Sequence, residues 1–179
     1  GETGSALWVS AAIFASVVTS VAAAAPAGWL GDRFDRRRVM IVSDLASVAV
    51  SLAMAASADH AWALVLLLGA SSATQAPFDP ASASAIPQVV PERDVPRANS
   101  LVAASSSAAY LAGPLLGGAL LGLGASPAEV FAADAATFLV SALLVWSVRR
   151  PFGRGSTAEH PGLLAGAHVI ARERALLVP

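Results

Sequence analysis

Long uncharged stretches separated by short polar segments dominate this chain. Five of them are long enough to cross the apolar core of a bilayer, which takes about 20 residues at a rise of 1.5 Å each. We predict helices over residues 6–30, 39–57, 61–85, 98–123 and 128–148. Because the connections between them are short, consecutive helices are expected to be antiparallel neighbours in one bundle.

Composition supports a membrane protein. Of the 179 residues, 56% are hydrophobic and 13% are charged, which is more apolar surface than a water-soluble core needs. The predicted fold is therefore that of an all-α membrane protein, an antiparallel bundle of transmembrane helices. The lipid bilayer is one predicted partner. The chain has no cysteine and its three histidines are isolated, so we expect no disulfide, metal site or cofactor.

The arginines predict the orientation of the bundle. They lie in alternate connections, at residues 33–38, 93–97 and 149–174, whereas residues 58–60 and 124–127 contain none. The positive-inside rule places the arginine-bearing connections in the cytoplasm of a plasma (inner) membrane protein. The chain would then start outside without a basic leading segment, so we expect one more helix upstream, making these five spans of a six-helix half. Residues 1–150 form the partial bundle, and 151–179 a cytoplasmic linker with an amphipathic helix.

The first connection reads G-W-L-G-D-R-F-D-R-R-R from Gly28 to Arg38. It resembles the signature loop of the major facilitator superfamily, G-x-x-x-D-R-x-G-R-R. The matching residues are Gly28, Asp32, Arg33, Arg36 and Arg37, while Asp35 stands where the pattern has its second glycine. Charge-assisted bonds between Asp32 and these arginines would form a conformational latch that closes one side of a transporter. The simpler alternative is a positive-inside anchor that only sets topology.

A second motif, A-Y-L-A-G-P-L-L-G-G, lies in the fourth predicted helix. Gly113, Pro114, Gly117 and Gly118 match half of a glycine and proline pattern that the family associates with antiport. Glycines four residues apart allow another helix to approach closely, and the proline allows a bend. We predict a helix-packing contact with an added role as a hinge.

The stretch from Phe78 to Ser100 resembles the drug and siderophore exporters of that family, the macrolide or enterobactin exporter-like branch. This resemblance implies a secondary active transporter, with proton-coupled efflux of small amphiphilic compounds by alternating access. It also implies a C-terminal half that this chain lacks, and no nucleic-acid partner. The alternative is a non-transporting membrane scaffold or assembly protein built on a transporter-like bundle. An enzyme is not predicted, because no motif for intramembrane hydrolysis or ATP binding is present.

Polar residues inside the predicted spans are the remaining candidates for function. Asp44, Asp79 and Asp134 are candidate coupling acids, because a buried acid in a membrane is costly. Each lies closer to a membrane face than to the midplane, so capping or interhelical hydrogen bonds are the preferred alternative. Gln75 and Tyr110 are candidate cavity-lining residues, with helix-to-helix hydrogen bonding again the alternative. The substrate is predicted only as a small molecule.

Overall fold

Helices account for almost all of the described chain. The computed structural model describes residues 2–148, with all their side chains except those of residues 2–6, 25, 31 and 32. The helices are α1 (Glu2–Arg33), α2 (Arg36–Ala56), α3 (Ala61–Gln75), α4 (Phe78–Val89), α5 (Val95–Gly122) and α6 (Pro127–Ser147), with a 3₁₀ turn at Glu92–Asp94. The described part contains no strand. The predicted linker and amphipathic helix at 151–179 lie outside the described residues.

Five segments of this part are long and apolar enough to cross a membrane. Taken as α1, α2, α3 with α4, α5 and α6, they agree with the predicted number of spans, and the prediction of an all-α membrane bundle is confirmed. The helices are longer than their apolar runs. For example, α2 begins at Arg36 and α5 at Val95, so arginines that we expected in connections lie in the first turns of helices.

The third predicted span is broken in two. Helix α3 ends at Gln75 and α4 starts at Phe78, with Ala76 and Pro77 between them. Pro77 and Pro80 have no N–H to donate, and a proline ring crowds the carbonyl four residues earlier, so the regular hydrogen-bond ladder is interrupted here. The predicted span over 61–85 thus consists of two helices, and the apolar segment continues to Val89.

Helix α2 holds the bundle together. It packs most extensively against α6, and also against α3 and α4. Near the start of α2, Val39 and Met40 form an apolar core with Ala81 and Ala85 of α4. Val145, near the end of α6, packs against the same core. The start of α2 and the ends of α4 and α6 thus lie together, and we call this side of the bundle the arginine end.

Consecutive helices are not always the closest neighbours, contrary to our prediction. Helix α1 makes few contacts with α2 and packs instead along α3. There a Cβ added to Gly69 would come within 3.1 Å of Thr19 Oγ1, so the two helices approach closely at this glycine. A short link fixes only the distance between two helix ends, whereas pairing along the helices depends on which faces carry small or polar residues.

The opposite end of the bundle has a well-defined turn before α6. Gly124 has a φ of +97°, a conformation that side chains with a Cβ rarely adopt. Ser126 then caps α6, its hydroxyl accepting from the Glu129 N–H at 3.3 Å while the Glu129 carboxylate accepts from the Ser126 N–H. This capping box starts α6 at Pro127.

Candidate functional site

The basic connection is almost entirely helical. Gly28 and Arg33 lie in the last turns of α1, and Arg36 and Arg37 open α2, so only Phe34 and Asp35 separate the two helices. Asp32 also belongs to α1. The predicted latch residues therefore all lie at the arginine end within a few residues of one helix-to-helix junction. The latch itself stays a prediction.

Asp35 stands where the signature pattern has its second glycine, and its conformation shows why a glycine is not required there. Its backbone, with φ −60° and ψ 123°, is open to any residue, so no glycine is needed for conformational reasons. Its carboxylate accepts a hydrogen bond from the Arg38 N–H at 3.2 Å and caps the N-terminus of α2. A carboxylate at this position also interacts favourably with the helix dipole.

Two arginines at the junction are exposed. The Arg33 guanidinium lies 5.3 Å from the centre of the Trp29 ring, a cation–π contact. Arg38 is exposed on the first turn of α2, whereas Arg36 and Arg37 are half-buried. Positive charge is thus presented to the surroundings mainly by Arg33 and Arg38.

A stripe of polar side chains runs along the buried face of α2. Ser43, Ser47 and Ser51 are spaced four residues apart, and together with Asp44 they are between 0% and 3% exposed. Residues at this spacing share one face of a helix. We call these four residues the α2 polar stripe. Small hydroxyl side chains let neighbouring helices approach closely and also bond to them.

The polar stripe bonds to α6 through Ser51, in the second half of α2. The Ser51 hydroxyl donates to Asp134 Oδ2, in the first half of α6, at 2.7 Å. Because the start of α2 packs beside Val145 near the end of α6, the two helices run antiparallel.

A third connection joins the polar stripe to α3. Ser47 Oγ lies 2.9 Å from Thr74 Oγ1 and accepts from the Gln75 amide nitrogen at 3.0 Å. Gln75 was a candidate for lining a cavity, and in the described residues its amide is used in this interhelical bond. A hydroxyl group of α2 thus meets a hydroxyl and an amide group of α3 at the middle of α2.

The three candidate acids have different surroundings. Asp44 is 2% exposed, and its Oδ2 is buried with no hydrogen-bond partner among the described residues. Asp134 bonds to Ser51 but is otherwise exposed, and Asp79 is exposed at the start of α4. Because α2 begins at Arg36, Asp44 lies eight residues into a 21-residue helix. Its depth in the bilayer stays a prediction.

The glycine motif lies on a helix that the described part leaves uncovered. Helix α5 has no buried residue, and Tyr110 is 83% exposed. A Cβ added to Gly113, Gly117 or Gly118 would meet nothing within 4 Å. Pro114 lies inside the continuous helix. The packing and hinge roles of this motif, and a cavity role for Tyr110, stay predictions that depend on what covers α5.

Sequence reasoning missed two members of the interhelical network, Ser47 and Ser51. Their signal was present, because serines at four-residue spacing beside an acid in an apolar span mark one polar face. The partner residues could not be read from the sequence, since the choice of α6 as the neighbour of α2 is a tertiary feature.

An apolar groove opens beside the junction. It has a volume of about 430 Å³ and lies between the end of α1, the first half of α2 and the end of α3. Its lining includes Phe34, Val42, Ala46 and Ala73, with Arg38 as its charged member. Neither Gln75 nor Tyr110 lines it.

Comparison with known proteins shows which family the chain resembles. A family model described as Major Facilitator Superfamily matches residues 2–178. A protein of Bacillus subtilis (strain 168), described as the uncharacterized MFS-type transporter YfiS, is 29% identical over 123 residues. That match covers 69% of this chain but 29% of the relative, so the chain spans less than a third of the relative's length. No solved structure matches the chain.

Proposed function

The chain belongs to the major facilitator superfamily, and on that premise we propose that it forms part of a secondary active membrane transporter without enzymatic activity. The match over residues 2–178 and the relative described as a transporter support this proposal. We place the protein in the plasma membrane as a multi-pass protein, with its arginine end in the cytoplasm, because the arginines lie in alternate connections.

The transporter works by alternating access together with a second bundle. Helix α5, with its open glycine face and no buried residue, offers a surface suited to close helix packing. We assign that surface to the remainder of the transporter, comprising the sixth helix of this half and the C-terminal half. Pro114 lets α5 bend as the two bundles rock.

Proton coupling is assigned to Asp44, and the observation that carries this assignment is its burial with one carboxylate oxygen unpartnered among the described residues. An ionised carboxylate is costly to hold away from water. Gain and loss of a proton at Asp44 must therefore accompany a change in its surroundings. The neighbouring hydroxyls of the α2 polar stripe connect that change to α3 and α6. Asp79 and Asp134 are more exposed and are weaker candidates.

The direction and substrate class follow from the resemblance of the sequence. We propose export of small amphiphilic compounds, as in drug and siderophore exporters, with the junction from Gly28 to Arg37 acting as a latch at the cytoplasmic side. Arg36 and Arg37 are half-buried where α2 begins, a position from which a charge change can act on the packing of α1 and α2.

Transport by the purified full-length protein tests the proposal. In proteoliposomes, a pH gradient should drive accumulation of fluorescent amphiphilic compounds against their concentration gradient, and a protonophore should abolish it. Vesicles without protein are the control. A correctly inserted protein that moves none of a broad panel of such compounds would favour the scaffold alternative.

A further inference from the structure

The apolar groove and the basic residues beside it form one continuous amphiphilic surface. The groove shares Phe34 and Arg38 with a second, smaller hollow of about 190 Å³, which is also lined by Arg33 and Asp35. One end of this surface is therefore charged and the other is apolar. In the bilayer, such a surface faces headgroups at one end and acyl chains at the other.

The charged hollow favours an anion. Arg33 and Arg38 are exposed, and Asp35 is the acidic group that lines the hollow with them. The Asp35 carboxylate already accepts from the Arg38 N–H as the cap of α2, so it is engaged with the helix end. Among the side chains that the structure describes around this hollow, two guanidinium groups face one carboxylate, which gives a net positive charge. Guanidinium groups suit phosphate oxygens.

The apolar part needs a hydrocarbon occupant. Phe34 and Val42 are 46% and 64% exposed, and small residues such as Ala46 and Ala73 give the groove its depth. A water molecule in a groove of this composition finds few hydrogen-bond partners, whereas an acyl chain has no hydrogen bonds to give up when it enters. Basic pockets between membrane helices are known as a general class of site for anionic lipid headgroups.

We propose that this surface binds one anionic phospholipid, with its phosphate between Arg33 and Arg38 and one acyl chain in the groove. The lipid would contact the end of α1, the first half of α2 and the connection between α3 and α4 at Pro77. The proposal requires that the bundle lie in a bilayer, but it does not depend on transport.

Native mass spectrometry of the purified full-length protein tests it, with added phosphatidylglycerol or phosphatidylcholine as probes. We expect one preferred site for phosphatidylglycerol. Arg38→Gln should weaken phosphatidylglycerol binding about fivefold, the effect of one arginine near a membrane surface, and should leave phosphatidylcholine binding unchanged. Arg93→Gln is the matched control, because Arg93 is an exposed arginine that pairs with Asp94 away from the groove.

The groove is tested separately from the charge. Ala46→Phe fills the groove and should weaken binding of phosphatidylglycerol, whereas Ala49→Phe, on an exposed part of α2 outside the groove, should not. Inorganic phosphate at millimolar concentration should not displace the lipid, since it lacks an acyl chain. Any of three results would overturn the proposal: equal binding of the two lipids, equal effects of Arg38→Gln and Arg93→Gln, or no effect of Ala46→Phe. The third result would show that another part of the protein fills the groove.

Discussion

The bond between Ser51 and Asp134 gives the sharpest test of how α2 and α6 are held together. Ser51 is 2% exposed, and its hydroxyl lies 2.7 Å from Asp134 Oδ2. Ser51→Ala removes the donor and leaves the acid without this partner. We expect the substitution to destabilise the protein, because the α2–α6 contact is the most extensive in the described bundle.

The size of the effect follows from hydrogen bonds measured inside membranes. In water-soluble proteins a bond to a charged group contributes about 1.5–3 kcal/mol. Between membrane helices the average is about 0.6 kcal/mol with a maximum near 1.7, because the separated helices find other partners. The short distance and the burial of Ser51 place this bond above the average, so we expect about 1 kcal/mol, roughly a fivefold change in the folding equilibrium.

A double-mutant cycle isolates this bond. The free energy of unfolding of the full-length protein is measured by titration with a denaturing detergent for Ser51→Ala, Asp134→Ala and the double variant. We expect a coupling energy of about 1 kcal/mol. Ser100→Ala is the matched control, because among the described residues the Ser100 hydroxyl bonds to the Pro96 carbonyl of its own helix and to no other helix. Its cycle with Asp134→Ala should be additive within about 0.5 kcal/mol. A Ser51–Asp134 coupling no larger than the control would refute this reasoning.

Three further substitutions test single features of the fold and the latch. Asp35→Ala removes the cap of α2 and should lower the free energy of unfolding by about 1 kcal/mol. Asp35→Gly should lower it by only about 0.3 kcal/mol, because glycine is tolerated at this position. Equal losses for the two variants would contradict a capping role. Gly124→Ala, at a φ of +97°, should lower the melting temperature through a strain of about 1–2 kcal/mol, and Gly122→Ala, in regular helix with open space, should not. Asp32→Asn should impair transport strongly while leaving insertion intact, and a normal transport rate together with unchanged cysteine accessibility at the arginine end would leave only a topological anchor.

The number of apolar spans and their helical type were predictable because they depend on local features. Apolar length predicts a span, and a capping sequence such as that at Ser126 predicts a helix start. The break after Gln75 had a visible cause in Pro77 and Pro80, but membrane helices often absorb a proline without breaking. Its presence in the sequence alone did not decide between a bend and a break.

The packing of the helices against one another was harder to predict from the sequence. Nothing local pairs Ser51 with Asp134, which are 83 residues apart. Their meeting depends on which faces of α2 and α6 pack together. The same limit applies to Asp44, since the burial of its side chain depends on which face of α2 packs against the other helices. For Gln75, a hydrogen bond to a neighbouring helix was one of the two predicted roles, and the structure shows such a bond to Ser47. The partner itself could not be read from the sequence.

The role of Asp44 in proton coupling is tested most directly by comparing two transport modes in one variant. Asp44→Asn in the full-length protein keeps the size of the side chain and removes the titratable group. In proteoliposomes, we expect accumulation driven by a pH gradient to be lost, while exchange of labelled for unlabelled substrate across the membrane, which needs no net proton movement, continues near the wild-type rate. Uphill accumulation that persists in Asp44→Asn at the wild-type level would contradict the account.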